Sequence, residues 1–274
     1  MLTYLQTVFL QTFRSAEQES ADYMARRSNK ADVRILLICI LCALNLTIIH
    51  YFQDFSFLFQ FLIQIGASEF SIHLSAALHH SPHEQLWKLA WWASLIIFFY
   101  LLIPAFVIRF GFRENLNLYG FRLQGAFKDI KLYGLMLVIM IPLVLFFSGT
   151  QSFQARYPFY QPGYKEELFP DFVIWELLYF LQFISLEFFF RGFILHGLRK
   201  RFGFYSIFVM TIPYCLIHFG KPFPETVSAI LAGIILGFLS LKSKSVYLGI
   251  AIHYSVALTM DLCALGHKGY WNHF

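Results

Sequence analysis

Runs of apolar residues long enough to cross a bilayer limit this chain more than any single motif does. Residues 33–52, "VRILLICILCALNLTIIHYF", carry one charged side chain, Arg34, at their edge. A transmembrane helix needs about 20 mainly apolar residues. Six runs reach that length, near 33–53, 88–109, 131–149, 172–195, 224–241 and 246–265, and a shorter one lies at 204–220. Pro213 falls in the shorter run and would kink it, which neighbouring helices make tolerable. Only 14% of the 274 residues are charged, against roughly 25% in a soluble domain. The expectation is an all-α, polytopic membrane bundle of about seven transmembrane helices with additional interfacial segments.

Lys and Arg in the loops set the orientation. Arg14, Arg26, Arg27, Lys30 and Arg34 precede or begin the first run, whereas residues 54–87 contain neither Lys nor Arg. Arg109, Arg113, Arg122 and Lys128 follow the second run. The segment 150–171 has only Arg156 and Lys165, offset by Glu166, Glu167 and Asp171. Arg199, Lys200 and Arg201, then a lone Lys221, then Lys242 and Lys244 continue the alternation. It predicts a multi-pass protein of a bacterial inner membrane, with its N-terminus cytoplasmic and its C-terminus outside. The net charge of +5 then belongs to topology, and no basic stretch interleaved with aromatics suggests nucleic acid. The lipid bilayer is the expected surroundings.

Residues 2–13 are apolar enough to lie in the interface, and residues 55–78, with Gln60, Gln64, Glu69 and His73, read as interfacial or re-entrant. Trp87, Trp91, Trp92 and Trp271 read as interface anchors. Cys39, Cys42, Cys215 and Cys263 lie in apolar runs without zinc-ribbon spacing and read as small buried hydrophobes. "HLSAALHHSPHEQ", with His73, His79, His80 and His83, matches no defined metal site and reads as a solvated loop.

Ionisable residues at membrane depth point to function, because only a partner or a wet cavity makes them tolerable. Glu187 and Arg191 are four apart, so they share a helix face and can pair. Glu176 is on that face about 16 Å away, nearer the outer interface, and reads as solvated. His218 and His253 bracket the run "AILAGIILGF", whose Gly233 and Gly237 predict close helix packing. A Glu with two His supports two chemistries. The carboxylate can activate water while His side chains stabilise an oxyanion, or the three can ligate Zn²⁺. No HExxH, G-x-S-x-G, P-loop or dinucleotide motif occurs.

"EFFFRGF" (187–193), "YCLIHFGKP" (214–222) and "AILAGIILGFLSLKSKSVYLGIAIHYSV" (229–256) resemble the successive motifs of the CPBP family. These are the CAAX-protease and bacteriocin-processing (ABI) intramembrane endopeptidases, related to the type II CAAX prenyl endopeptidase. "ENLNLYGFRLQGAFKDIKLYG" (114–134) resembles the family's lead-in, so the resemblance spans roughly residues 115–262. It implies a helical bundle with a membrane-embedded site, and a peptide or protein substrate at the membrane. It divides the chain into 1–114, with two spans, a protease-like core at 115–265 and a tail at 266–274.

The family's first motif is Glu-Glu-x-x-x-Arg, but Leu186 occupies the first position here, leaving Glu187 and Arg191. Phe-x-x-x-His becomes Tyr214 to His218, and His-x-x-x-Asn/Asp keeps His253 with Ala257 in place of the polar residue. The implied catalytic set is Glu187, Arg191, His218 and His253. Glu225 is a candidate to replace the lost carboxylate, and Asp261 a partial stand-in for the missing Asn/Asp. The expected activity is peptide-bond hydrolysis by glutamate-activated water, with no cofactor; zinc is the less favoured alternative. The competing reading is a catalytically inactive member of the fold that acts as a binding or regulatory partner.

Overall fold

The computed structural model describes residues 2–26, 32–162 and 168–270. Arg27, Lys30, Lys165, Glu166, Glu167 and Trp271 lie outside the described residues. No strand occurs among the described residues, and the helices follow in order. They are α1 (Leu2–Ala25), α2 (Val33–Phe52), α3 (Phe55–Gln64), α4 (Ser68–His80), α5 (Glu84–Ile96), α6 (Ile103–Phe106) and α7 (Ile130–Ser148). Then come α8 (Gln151–Arg156), α9 (Asp171–Glu187), α10 (Gly197–Phe202), α11 (Ser206–Leu216), α12 (Phe223–Ser243) and α13 (Tyr247–His267). Wider π-helical turns join several of them, at Ile97–Leu102, Val107–Gly111 and Phe188–His196.

Among the described residues, six helical stretches are long and apolar enough to cross a membrane. One of them, Asp171–Leu216, contains both the fourth expected span and the shorter fifth. Gly203, with φ of 52°, interrupts it after α10, and α11 then packs against the π-helical stretch Phe188–His196. The protein is therefore an integral, multi-pass helical membrane protein. Residues 55–78 form the two short helices α3 and α4, with the Ser71 hydroxyl donating to the Phe59 carbonyl at 3.1 Å. Ten and thirteen residues cannot span a bilayer individually.

The chain forms two compact units. The first comprises residues 1–44, 103–134 and 186–251. In it, α1 docks on α10 and the turn after it. Ser20 Oγ donates to the Arg201 carbonyl at 3.1 Å, and the Phe204 N–H donates to Glu17 Oε1 at 2.9 Å. A Cβ at Gly203 would crowd that same Glu17 oxygen, and its φ of 52° is one that other residues rarely adopt. Phe9, Phe13, Phe204 and Phe238 stack nearby, while Tyr4, Leu5 and Leu10 are exposed. The apolar segment 2–13 is thus the start of a longer helix with an apolar outer face.

The stretch expected as a lead-in makes a brace in the same unit. Asn115 caps the turn Leu116–Tyr119, and Gly120, at φ 93°, accepts from the Val246 N–H through its carbonyl at 3.0 Å. The Tyr119 hydroxyl donates to Glu114 Oε2 at 2.7 Å, and Arg34 reaches Glu114 Oε1 at 2.9 Å. Burial pushes the Glu114 carboxyl up, but Tyr119, Arg34 and Lys200 together hold it below the usual carboxylate range. α11 packs on α12 where Gly233 meets Thr211 and Gly237 meets Met210 and Ile207, as the glycine spacing predicts.

The second unit comprises residues 45–102, 135–185 and 252–274. Its core is aromatic: Phe153, Tyr157, Phe159, Tyr160, Phe172, Trp175, Tyr179 and Phe183 pack with Leu89, Ala257, Ala264 and Leu265. Trp92 stacks on Trp175 at 6.0 Å and packs against Phe159 at 5.3 Å, so it belongs to this core rather than to an interface belt. Trp91 Nε1 donates to the Phe52 carbonyl at 2.7 Å, while Trp87 is exposed. Two of the clustered histidines are engaged singly, His83 with Asp171 at 2.6 Å and His79 with Glu84 at 3.1 Å.

Candidate functional site

Glu187 is the last residue of α9, and Arg191 lies in the π-helical stretch that follows; both are fully buried. Arg191 Nη1 is 3.1 Å from Glu187 Oε1. Every residue from Phe188 to His196 is buried, so this pair sits in a wall of aromatic and aliphatic side chains. Two bare charges there would each carry a desolvation penalty of several kcal/mol, which only close pairing offsets. A second contact helps: the guanidinium carbon lies 3.9 Å over the Tyr214 ring. Cation–π attraction is strongest when, as here, both partners are out of water.

Two glycines let the backbone close around the pair. A Cβ at Gly192 would stand 2.6 Å from the Tyr119 carbonyl oxygen, and one at Gly249 would stand 2.7 Å from Glu187 Oε2. The brace residue Tyr119 and the first turns of α13 therefore approach the motif more closely than any other residue permits. Phe121 stacks on Phe188 at 4.4 Å and completes the packing.

Tyr214 links the pair to His218. The Tyr214 and His218 rings are 4.8 Å apart, and His218 Nδ1 lies 2.9 Å from the Tyr214 carbonyl. A carbonyl only accepts, so Nδ1 carries the proton and Nε2 of the neutral ring carries the lone pair. α11 ends at Leu216, two residues before His218, and the Thr226 hydroxyl donates to the His218 carbonyl at 2.8 Å. The expected helical span 204–220 is thus shorter at its C-terminal end. His218 is held by a turn instead of a helix.

The structure joins Glu187, Arg191, Tyr214 and His218 in one run of contacts. Glu225, in the first turn of α12, is held by Lys221 at 2.7 Å. His253 belongs to the second unit, half-buried, with its ring 4.6 Å from Phe183. Ala257, one turn on, packs in the aromatic core.

Two expectations need correction. Glu176 is not solvated: it is 7% exposed, and the Tyr254 hydroxyl donates to its Oε2 at 3.3 Å. Nor is Asp261 placed to replace an Asn/Asp beside His253. It is fully buried and accepts from the Phe159 N–H at 3.2 Å and from Trp175 Nε1 at 3.4 Å. Both acids serve the second unit's interior. The signal that could have found them is helical: Tyr254 and Asp261 are seven apart on one face of α13, opposite an acid in α9. No group of three or more His, Cys, Asp or Glu suited to a metal ion occurs among the described residues.

Residues 168–259 match the family model described as Type II CAAX prenyl endopeptidase Rce1-like. The matched segment holds Glu187, Arg191, Tyr214, His218, Glu225 and His253. No curated protein and no solved structure matches the chain. The chain is thus similar to the CAAX-protease family over residues 168–259, where its own motifs lie.

Proposed function

We propose that the protein is an intramembrane endopeptidase that hydrolyses a peptide bond with water activated by side chains. The family match over the segment that holds the buried Glu187–Arg191 pair and both histidines carries this reading. Arg191 keeps Glu187 ionised and fixes its rotamer through Oε1. Glu187 then takes a proton from water as the oxygen attacks the scissile carbonyl carbon. His218 presents an Nε2 lone pair, so its neutral ring is a proton acceptor. In that form Nε2 accepts the other hydrogen of the same water and orients it, and the proton taken by Glu187 passes to the leaving amine. The resemblance of its motif gives His253 the part of donor to the oxyanion. Leu186 leaves Glu187 as the carboxylate of the first motif, and Glu225 would join only after leaving Lys221.

The substrate class is a membrane-bound peptide or protein; a prenylated C-terminal CAAX segment is the one the matching family's name indicates. The N-terminus faces the cytoplasm of a bacterial inner-membrane protein in this reading, and no resident metal is required. The test is cleavage of a farnesylated CAAX reporter peptide in proteoliposomes, beside unprenylated membrane-anchored peptides. Glu187→Gln should lower cleavage at least about a hundredfold, the range of lost acid–base catalysis, with helical content unchanged. Retained cleavage would remove Glu187 from the role of base. If the wild type cleaves nothing and Glu187→Gln only lowers its melting temperature, the inactive partner is the correct reading.

A further inference from the structure

The buried Glu187–Arg191 pair has a wall on each side, and one three-residue segment touches both. On the Arg191 side stands Gly192, where a Cβ would lie 2.6 Å from the Tyr119 carbonyl oxygen. On the Glu187 side stands the first turn of α13, where a Cβ at Gly249 would lie 2.7 Å from Glu187 Oε2. The Gly120 carbonyl ties that turn back, since it accepts from the Val246 N–H at 3.0 Å. Phe121 closes the end, 4.4 Å from the Phe188 ring and 6.1 Å from the ring of Tyr247, the first residue of α13. Three consecutive residues thus set the width of the gap in which the pair lies.

The segment is anchored from outside that gap. Tyr119 is buried, and its hydroxyl donates to Glu114 Oε2 at 2.7 Å. Glu114 Oε1 accepts from Arg34, at the start of α2, at 2.9 Å and lies 3.6 Å from Lys200 Nζ on α10. A carboxylate accepts at both oxygens, so Glu114 fastens Tyr119 to two helices at once. The phenol ring is a rigid spacer. With the Tyr119 hydroxyl on Glu114 and the Tyr119 carbonyl on Gly192, the segment cannot slide along the pair without breaking that hydrogen bond. All of these residues belong to the first unit.

We propose that Glu114 and Tyr119 are positioning residues for Glu187 and Arg191. Their part is to hold Tyr119–Phe121 in the one place where both walls meet the pair, so that Glu187 Oε1 faces Arg191 while Oε2 faces Gly249. Both act through the backbone of the segment. The catalytic consequence rests on the base role given above to Glu187; the seating of the pair does not.

Direction matters more than burial here. A base must aim its lone pair at the water, and a misplacement of 1 Å can cost about a hundredfold in rate. Losing the Tyr119 hydroxyl leaves the ring and both backbone contacts in place but frees the segment at its anchored end. The pair then stays buried and ion-paired while its orientation loosens.

Tyr119→Phe is the test, with Ser20→Ala as a control that also removes one hydrogen bond of the first unit. Amide exchange needs no substrate. Residues 187–196 should exchange about fivefold faster in Tyr119→Phe, the factor that one hydrogen bond supplies, and at the wild-type rate in Ser20→Ala. Equal rates in the two variants would overturn the seating. In proteoliposomes with the farnesylated CAAX reporter, Tyr119→Phe should lower kcat about tenfold with KM unchanged, whereas Ser20→Ala should change neither. Placed on Glu187→Gln, Tyr119→Phe should lower the residual rate no further, because no base is left to aim. An equal fall in both backgrounds would make Tyr119 a structural residue only and overturn the positioning role. Glu114→Gln added to Tyr119→Phe should lower the melting temperature, through Arg34 and Lys200, without lowering kcat again. A second fall in kcat would overturn Tyr119 as the route from Glu114. If the wild type cleaves nothing, the endopeptidase fails and exchange alone judges the seating.

Discussion

Arg191 is buried for the sake of Glu187, and Glu187 is tolerable because of Arg191. Removing one partner leaves a bare charge, which costs about 3–5 kcal/mol in such pairs. Arg191→Met should therefore destabilise the protein by about that much in detergent melting, and the double variant with Glu187→Gln should recover most of the loss. A double variant no more stable than the single one would show that Arg191 matters through Tyr214 instead. Glu114 gives a second prediction at this scale. Its carboxyl titrates below the ordinary value, so its contribution is present at neutral pH and is lost as pH falls through the folded value. Glu114→Gln should cost about 1 kcal/mol at pH 7, and the gap to wild type should close as the pH falls below the ordinary carboxylate range. The Glu187–Arg191 pairing was legible in the sequence from spacing alone. The burial of Glu176 against Tyr254 was not, since spacing along one helix says nothing of what a side chain meets on another.

Among the elements, the join of α9 to the π-helical stretch Phe188–His196 matters most. π-helical turns are rare and recur at functional sites, and no periodicity in "EFFFRGF" announces one, because all its neighbours are apolar. The glycines were more readable. Gly233 and Gly237 declared the α11–α12 contact by their spacing, while Gly192 and Gly249 looked like ordinary helical glycines until the Tyr119 carbonyl and Glu187 were placed against them. Gly192→Ala puts a Cβ 2.6 Å from a backbone oxygen that cannot swing aside. It should lower the melting temperature by several degrees, whereas Gly134→Ala, with nothing within 4 Å, should leave it within about 1 °C, as for substitutions away from special features. Equal shifts for the two would mean that the brace 115–120 is not tightly seated.

For the whole molecule, the apolar runs settled class and span positions, because a bilayer leaves a chain few choices. They could not show that the stretch expected as two spans is one helical segment broken at Gly203, nor that Trp92 turns inward. Orientation remains a matter of loop charge, and it is testable. In a background with the four native cysteines replaced, Ser81→Cys should react with a membrane-impermeant maleimide added to intact cells. Asn117→Cys should react only after permeabilisation. The reverse pattern would invert the topology.

α11 has eleven residues, which rise about 16 Å, roughly half of a hydrocarbon layer. Lipid beside it must thin or tilt to match so short a wall. A thinned layer would bring the aqueous boundary nearer the turn after α11 that carries His218. In the endopeptidase reading, such a thinned layer would let water approach that turn without a pore through the bundle.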